Sequence, residues 1–390
     1  MISTSLLQPS AWYHQMQAEK PVYFDDRYQL IFGAAGAWQV FRYADVQRVL
    51  QDFTCFSNNY KPEDPNSNVG SSLNRIDPPL HRQLRALVSK AFAPSILSGL
   101  ETWMHHQCKT LLEPWLNNGG IDFVHHFAMP LSVRVIARLL GVPEPDHTLV
   151  DEWAKIIVSN PAETGGMADY RRVQQEMVTF FGAMLEERKK QPQQDLMTHL
   201  LHAEVDGERL STKDVIATCK TILLAGYETT VALLTNTMYI LAAEQPQLQI
   251  HLAKHTADIP LVINEVLRYR PSLLSMYRIA TCDIELGGQQ IKKGDLVNAW
   301  IASANRDPAV FQDPDVFDFR RNNLTQILSF GYGIHYCLGA GLSKMETRIA
   351  FETLFQLAKG FKIKPGTSLS LNSSVIVSSF KNLPVIFHKC

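Results

Sequence analysis

The residues best equipped for chemistry lie in one run, Phe330-Gly331-Tyr332-Gly333-Ile334-His335-Tyr336-Cys337-Leu338-Gly339-Ala340. Gly331 and Gly333 admit backbone angles closed to other residues and can form a tight turn. Gly339, two residues after the cysteine, lets a flat, bulky group approach the backbone. A helical pattern follows from about Leu338 to Ala358. A helix N-terminus favours negative charge and lowers the pKa of a thiol placed there. The run can therefore present one sulfur anion, Cys337, from a glycine-lined loop.

A lone thiolate serves few chemistries. A nucleophile needs a base and an oxyanion hole beside it. Zinc needs several ligands, and no second cysteine lies within four residues. Haem iron needs one thiolate, which pushes electron density toward the metal. A buried free cysteine behind a glycine turn is the plain structural alternative. A dinucleotide fingerprint is excluded, because Tyr336 stands where its third glycine belongs.

A second candidate is Leu223-Leu224-Ala225-Gly226-Tyr227-Glu228-Thr229-Thr230, in the middle of an apolar helical stretch. Glycine costs about 1 kcal/mol against alanine there, and a buried carboxylate costs more unless partnered. Threonine hydroxyls can bond back to the preceding turn and bend the helix. A kinked core helix whose acid reaches solvent would explain the same residues. His81 and Arg85, four apart, share one helical face, as a solvated basic surface would. Glu265 and Arg268, three apart, read alone as an ordinary surface ion pair. The neighbours His105-His106 and His125-His126 do not chelate together, since adjacent helical residues diverge by about 100°.

These residues must be positioned by a mostly helical chain. Pro9–Glu19 and Tyr43–Gln51 read as helices, with short strands at 21–24, 29–32 and 38–41 and polar turns between them. A polar stretch from Ser57 to Asp77 is a long loop, read as a flexible wall. Asp77 can cap the helix carrying His81 and Arg85, whose first turn suits Pro78 and Pro79. Residues 93–191 are helical, with breaks at 117–120, 141–145 and 159–166. The longest helical stretch is 208–244, with Ser211 as N-cap. A helix at 261–270, an extended segment at 271–278, a hairpin around Gly287-Gly288 and a strand at 294–300 follow. Short strands near 368–371 and 375–377 and a turn near 378–381 come last.

The 390 residues, 46% apolar and 19% charged, are ordinary for a globular enzyme. A net charge of −1 gives no electrostatic case for nucleic acid. The six cysteines (Cys55, Cys108, Cys219, Cys282, Cys337, Cys390) are far apart in sequence and form no pattern, which fits a reducing compartment. The first 21 residues lack a long apolar stretch, so neither a signal peptide nor a membrane anchor is expected.

Phe330 to Gly339 resembles the haem-binding loop of the cytochromes P-450, F-x-G-x-H-x-C-x-G, at every fixed position. The resemblance implies haem b (iron protoporphyrin IX) with Cys337 as axial iron ligand. It implies that Phe330, Gly331 and Gly339 shape the pocket, and that His335 reaches a haem propionate. The D-P-P-x-H-x-x-x-R pattern brings His81 and Arg85 to the propionates, and Arg278 resembles a third such ligand. Ala225-Gly226-Tyr227-Glu228-Thr229 is similar to the A-G-x-(D/E)-T motif of the opened helix above the iron. There Glu228 and Thr229 would deliver protons, and Ala225 and Gly226 would leave room for dioxygen. Glu265 and Arg268 would brace the pocket with a third arginine, either Arg320 or Arg321. Ala304 to Pro308 and Phe311 to Asp318 match the family's A-N-R-D-P and F-x-D-P-x-x-F-D. Two positions depart: Ile327 stands where many bacterial members have His, and Gly341 where many have Pro.

The implied fold is the cytochrome P-450 fold, mainly α with a smaller β-rich lobe, as one catalytic domain over 1–390. Haem would lie between the long central helix and the helix after the cysteine loop, and residues 159–166 resemble a substrate lid. The implied activity is a cytoplasmic, monomeric monooxygenase inserting one atom of O2 into a C–H bond of an apolar small molecule: a steroid, terpenoid or fatty acid. Leu273–Tyr277 and Val375–Phe380 would wall the pocket. No reductase domain is expected in the chain, so electrons would come from a ferredoxin or flavodoxin with an NAD(P)H reductase. Arg82, Lys90, Lys344 and Arg348 could form the docking face for it, or a plain solvated surface. Peroxide-driven or non-hydroxylating chemistry on the same fold, and a haem gas-binding protein, are the rival readings.

Overall fold

The computed structural model describes residues 9–29, 35–59, 73–90, 92, 97, 99–116, 119–158, 167–205, 207–372 and 376–389. The helix Thr212–Tyr239 is its axis. Ser211 caps it, its hydroxyl accepting the Asp214 N–H at 3.2 Å. Beyond Thr230 the helix is buried on every side, as expected of a helix that is apolar all round. Helices Met129–Leu140, Met167–Lys190, Ile259–Tyr269 and Ala340–Leu357 pack against it. Met129–Leu140 stops at Gly141, whose φ of +81° is open to glycine and closes the last turn. There Arg188 donates to the Gly141 carbonyl at 2.8 Å and pairs with Asp195 at 2.5 Å.

The β-rich lobe is a five-stranded sheet in the order Val22–Gln29, Ala35–Val40, Leu296–Ala299, Met276–Ala280, Phe56–Ser57. Its pairs are antiparallel except Leu296–Ala299 with Ala35–Val40, which is parallel. A second sheet joins Ala358–Ile363, Pro384–Lys389 and Ile121–Asp122. The expected hairpin forms as Ile284–Leu286 with Gln289–Ile291, turning on Gly287 and Gly288, both at positive φ.

The mainly helical reading with a smaller β lobe holds, and the differences are local. Val22–Gln29 is one strand, where two strands and a polar turn are predicted. It lies at the sheet edge, so Asp26 and Arg27 can face water without breaking it. The Asp77 carboxylate, expected to cap the helix Leu80–Lys90, is engaged by the Ser57 hydroxyl and the Asn58 N–H; it is the Asp77 carbonyl that accepts the His81 N–H, at 3.1 Å. Strands Ala358–Ile363 and Pro384–Lys389 escape the sequence reading. The strands expected near 368–371 and 375–377 reduce to single bridges, Leu371 with Phe380 and Leu273 with Val377. Much of the predicted 57–77 loop, part of the 117–120 break, the whole 159–166 lid and Val375 lie outside the described residues.

Candidate functional site

The cysteine loop is closed by its own backbone. Cys337 donates its N–H to the Phe330 carbonyl at 2.8 Å, and Gly331 to Leu328 at 2.8 Å. Gly331 and Gly333 have φ of +75° and +70°, and a Cβ on Gly333 would press on the Gln51 backbone at 3.1 Å. Both glycines are thus required by the chain itself. Gly339 is different: its φ is ordinary, and an added Cβ would meet only the Cys337 sulfur, at 3.9 Å. The chain alone does not need glycine there, which fits a bulky group lying on the sulfur's open side.

Cys337 is solvent-accessible yet ringed by protein deep enough that burial dominates its acidity. Both hold for a sulfur on the floor of a recess. The N–H groups of Gly339 and Ala340 and the Arg85 guanidinium favour the thiolate, but burial outweighs them and pushes the thiol up. The lowered pKa expected from the helix terminus is therefore corrected: three partial donors do not repay desolvation.

Along one edge of this loop stand four basic groups. The rings of His81 and His335 lie 4.3 Å apart. His335 is pushed down to about 3, chiefly by burial and then by the charges of His81, Arg278 and Arg85. His81 and Arg85 are also lowered by burial. His81 is 2% exposed and Arg85 half-buried, so the face expected to be solvated turns partly inward; Arg278 is 4% exposed. Asp77 is the nearby carboxylate, 3.7 Å from His335. The Nε2 atoms of both histidines are buried with no hydrogen-bond partner among the described residues. Arg85 donates to the Tyr336 carbonyl at 2.6 Å and Arg278 to that of Tyr277 at 2.8 Å. Buried donors of one sign with open nitrogens call for an anion, and the paired carboxylates of haem b fit that demand.

On the central helix, the hydrogen-bonded helix runs unbroken from Ala225 through Thr230, so the expected opening is not a break in the helix. The Thr229 hydroxyl donates to the Ala225 carbonyl at 2.7 Å. Ala225 is exposed in mid-helix, which marks a hollow beside it. Gly226 serves packing: a Cβ there would strike Ile136 at 2.6 Å. It admits the neighbouring helix, so of the two small residues only Ala225 borders open space. Glu228 is half-buried, and burial pushes it up to about 7. Thr230 reaches Ser343 at 3.5 Å, tying this turn to the helix that follows Cys337.

The Glu265–Arg268 pair is fully buried, at 0% exposure each. Arg268 binds Glu265 through two hydrogen bonds of 2.8 Å and spends its other donors on the carbonyls of Asn305, Pro314 and Val316. Arg321 is the third member, 3.4 Å from Glu265 and bonded to the carbonyls of Gln312, Asp313 and Val316. Arg320 instead lies over the Phe319 ring. Asn305 binds Ser329 and the Leu328 N–H, and Asp307 receives the Tyr43 N–H, which gives A-N-R-D-P its structural work.

The two pocket-wall segments meet: Leu274 donates to Ile376 and Ser378 to Ser272. Phe380 leaves the wall, being buried 5.1 Å from the Tyr239 ring. The basic docking face is thinner than expected. Arg348 pairs with Glu101 and Glu352, Lys90 donates to the Glu204 carbonyl, and the Lys344 ammonium sits 5.3 Å over the Phe330 ring. That last contact, and the place of Asp77 beside His335, were missed; nothing in sequence spacing announces either. His105 binds Thr353 and His126 stacks on Trp115, so these histidines are structural. No group of three metal-ligating side chains forms among the described residues.

A family model for cytochrome P-450 matches residues 157–374. Cytochrome P-450 109 of Bacillus spizizenii is 36% identical over 386 residues, covering 97% of this chain and 92% of that protein. Erythromycin C-12 hydroxylase of Saccharopolyspora erythraea is 35% identical over 384 residues, covering 96% and 93%. The crystal structure of CYP109E1 from Bacillus megaterium with corticosterone superimposes with a TM-score of 0.90 at 33% identity, over 98% of this chain and 99% of that one. A thiol on the floor of a recess, an anion-seeking edge, and end-to-end likeness to these enzymes lead to one conclusion: the chain belongs to the cytochrome P-450 family and is a haem-binding monooxygenase.

Proposed function

We propose that this enzyme hydroxylates an apolar natural product of the steroid, terpenoid or fatty-acid class, as one catalytic domain working as a cytoplasmic monomer. Electrons come from a separate ferredoxin or flavodoxin with its NAD(P)H reductase. Cys337 ligates the iron from the recess floor. His81, Arg85, Arg278 and His335 hold the propionates. The carrying observation is the pair of buried Nε2 atoms that make no hydrogen bond among the described residues, beside two arginines and next to the accessible sulfur of the loop.

Haem, when bound, supplies the activation of dioxygen and the transfer of one oxygen atom to carbon. The chain supplies position and protons. Glu228, with a pKa near 7, can carry a proton at neutral pH in either direction. Thr229 has its own proton turned to Ala225, so its oxygen is left to accept, and it orders water in the hollow. Where the two segments meet, Leu273, Leu274 and Ile376 are aliphatic and only partly buried, which suits apolar substrates. The substrate class is further supported by CYP109E1, crystallised with corticosterone and with testosterone.

Replacing Cys337 with serine tests the ligand. The reduced, carbon monoxide-bound wild type is expected to show the strongly red-shifted Soret band of thiolate ligation, and the variant to lose it. A variant that keeps the band would remove Cys337 from its role. Titrating a panel of steroids, terpenoids and fatty acids against the haem spin state tests the substrate class. Hits confined to polar or charged compounds would reject it.

A further inference from the structure

Cys55 and Cys282 are 227 positions apart in the chain, and their sulfurs stand 2.9 Å from each other. They are separate thiols, both half-buried and within reach of a small reagent. The backbone on either side is already fixed. Phe56–Ser57 pairs antiparallel with Met276–Ala280, Phe56 opposite Ala280. Thr281 donates its N–H to the Cys55 carbonyl at 2.9 Å and its hydroxyl to the Thr54 carbonyl at 2.5 Å. Asp52 holds the turn before Cys55 through the N–H groups of Thr54 and Cys55. Bond formation would bring the two sulfurs from 2.9 Å to about 2.05 Å.

We infer that Cys55 and Cys282 are a modification site: a reversible disulfide formed by exchange with a low-molecular-weight disulfide. One protein thiolate attacks a sulfur of the small disulfide, forming a mixed disulfide and expelling one small thiolate, which takes up the released proton. The second cysteine then attacks the protein sulfur of that mixed disulfide and expels the second small thiol. Two protein thiols are oxidised and one small disulfide is reduced to two thiols. The second step is intramolecular between sulfurs already in contact, so the mixed disulfide does not accumulate. Cys108 and Cys219 are fully buried in the helical body and do not compete. The hydrogen bond from Cys282 pushes the Cys55 thiol up, so exchange speeds as pH rises.

The link would staple two segments that bear on the basic edge of the site. Phe56–Ser57 leads to Ser57 and Asn58, which hold the Asp77 carboxylate. Met276–Ala280 carries Arg278, whose charge acts on His335. Oxidation therefore stiffens the sheet where it meets the site.

The full-length, haem-loaded protein is equilibrated with rising ratios of oxidised to reduced glutathione, alkylated and mapped without reduction. The expected result is one cross-linked peptide pair, Cys55 with Cys282, reversed by reduced glutathione. A rise in melting temperature of roughly 5 °C is expected with it. Cys282→Ser should remove the link and leave glutathione on Cys55. Persistent mixed disulfide in the wild type, a link between other cysteines, or a fall in melting temperature would overturn the site. The wild-type map decides this even where a variant fails to fold.

Discussion

Two clusters of buried charge in this chain behave oppositely. Around Glu265, Arg268 and Arg321, every strong donor of Arg268 has an acceptor, and each carboxylate oxygen of Glu265 is bonded. Around His335, four basic groups crowd together, two ring nitrogens make no hydrogen bond among the described residues, and the pKa of His335 falls far below its usual range. The first cluster is closed and holds up the fold. The second is frustrated by itself and is relieved by a ligand of opposite charge. Satisfaction of hydrogen bonds, more than the presence of charge, separates scaffold from site.

Substitution in the closed cluster should show the largest effect. Arg268→Met takes two hydrogen bonds and one opposite charge from a buried carboxylate, and a loss of about 3–5 kcal/mol in stability is expected by denaturant unfolding, with or without haem. An unchanged midpoint would erase the distinction. Glu228→Gln comes next: turnover should fall by about 10². Wild-type turnover that needs the protonated acid should decline as pH rises through about 7, and that inflection should vanish in the variant. A retained inflection would assign the proton to another group.

In the open cluster, His335→Phe should weaken haem binding about tenfold, the worth of one charge-assisted hydrogen bond. The haem-free variant should be no less stable than the wild type. Stability measured against pH sharpens this. The folded His335 pKa is depressed, so the haem-free chain should lose stability as pH falls below the ordinary 6.5 toward 3. The unfolded imidazole takes up a proton that the folded one refuses. His335→Phe should flatten that decline. The smallest effect separates two neighbours: Arg320→Ala should change stability by under about 0.5 kcal/mol, and Arg321→Ala by clearly more. Equal effects would return the choice of third arginine to open.

The local pieces of the site were readable because they are short-range. Glu265 and Arg268 share a helix face at any burial. Gly331 and Gly333 declare positive φ, and Ser211 declares a helix start, each within a few residues. The edge strand through Asp25-Asp26-Arg27 was hidden, since polar residues at a sheet edge look like a turn. The strands Ala358–Ile363 and Pro384–Lys389 were hidden because they pair across the chain rather than in a hairpin.

By itself the sequence determined the glycine–cysteine loop, the Ala225–Thr229 turn, the Glu265–Arg268 pair and the mainly helical class, since neighbours in a chain have their spacing set by backbone geometry. The tertiary structure alone decided what surrounds them. It chose Arg321 over Arg320, turned Gly226 toward Ile136, raised the Cys337 thiol, and brought Cys55 against Cys282 across 227 positions. Burial and partner identity are properties of the packed whole, because desolvation and contact depend on segments that no local spacing can locate.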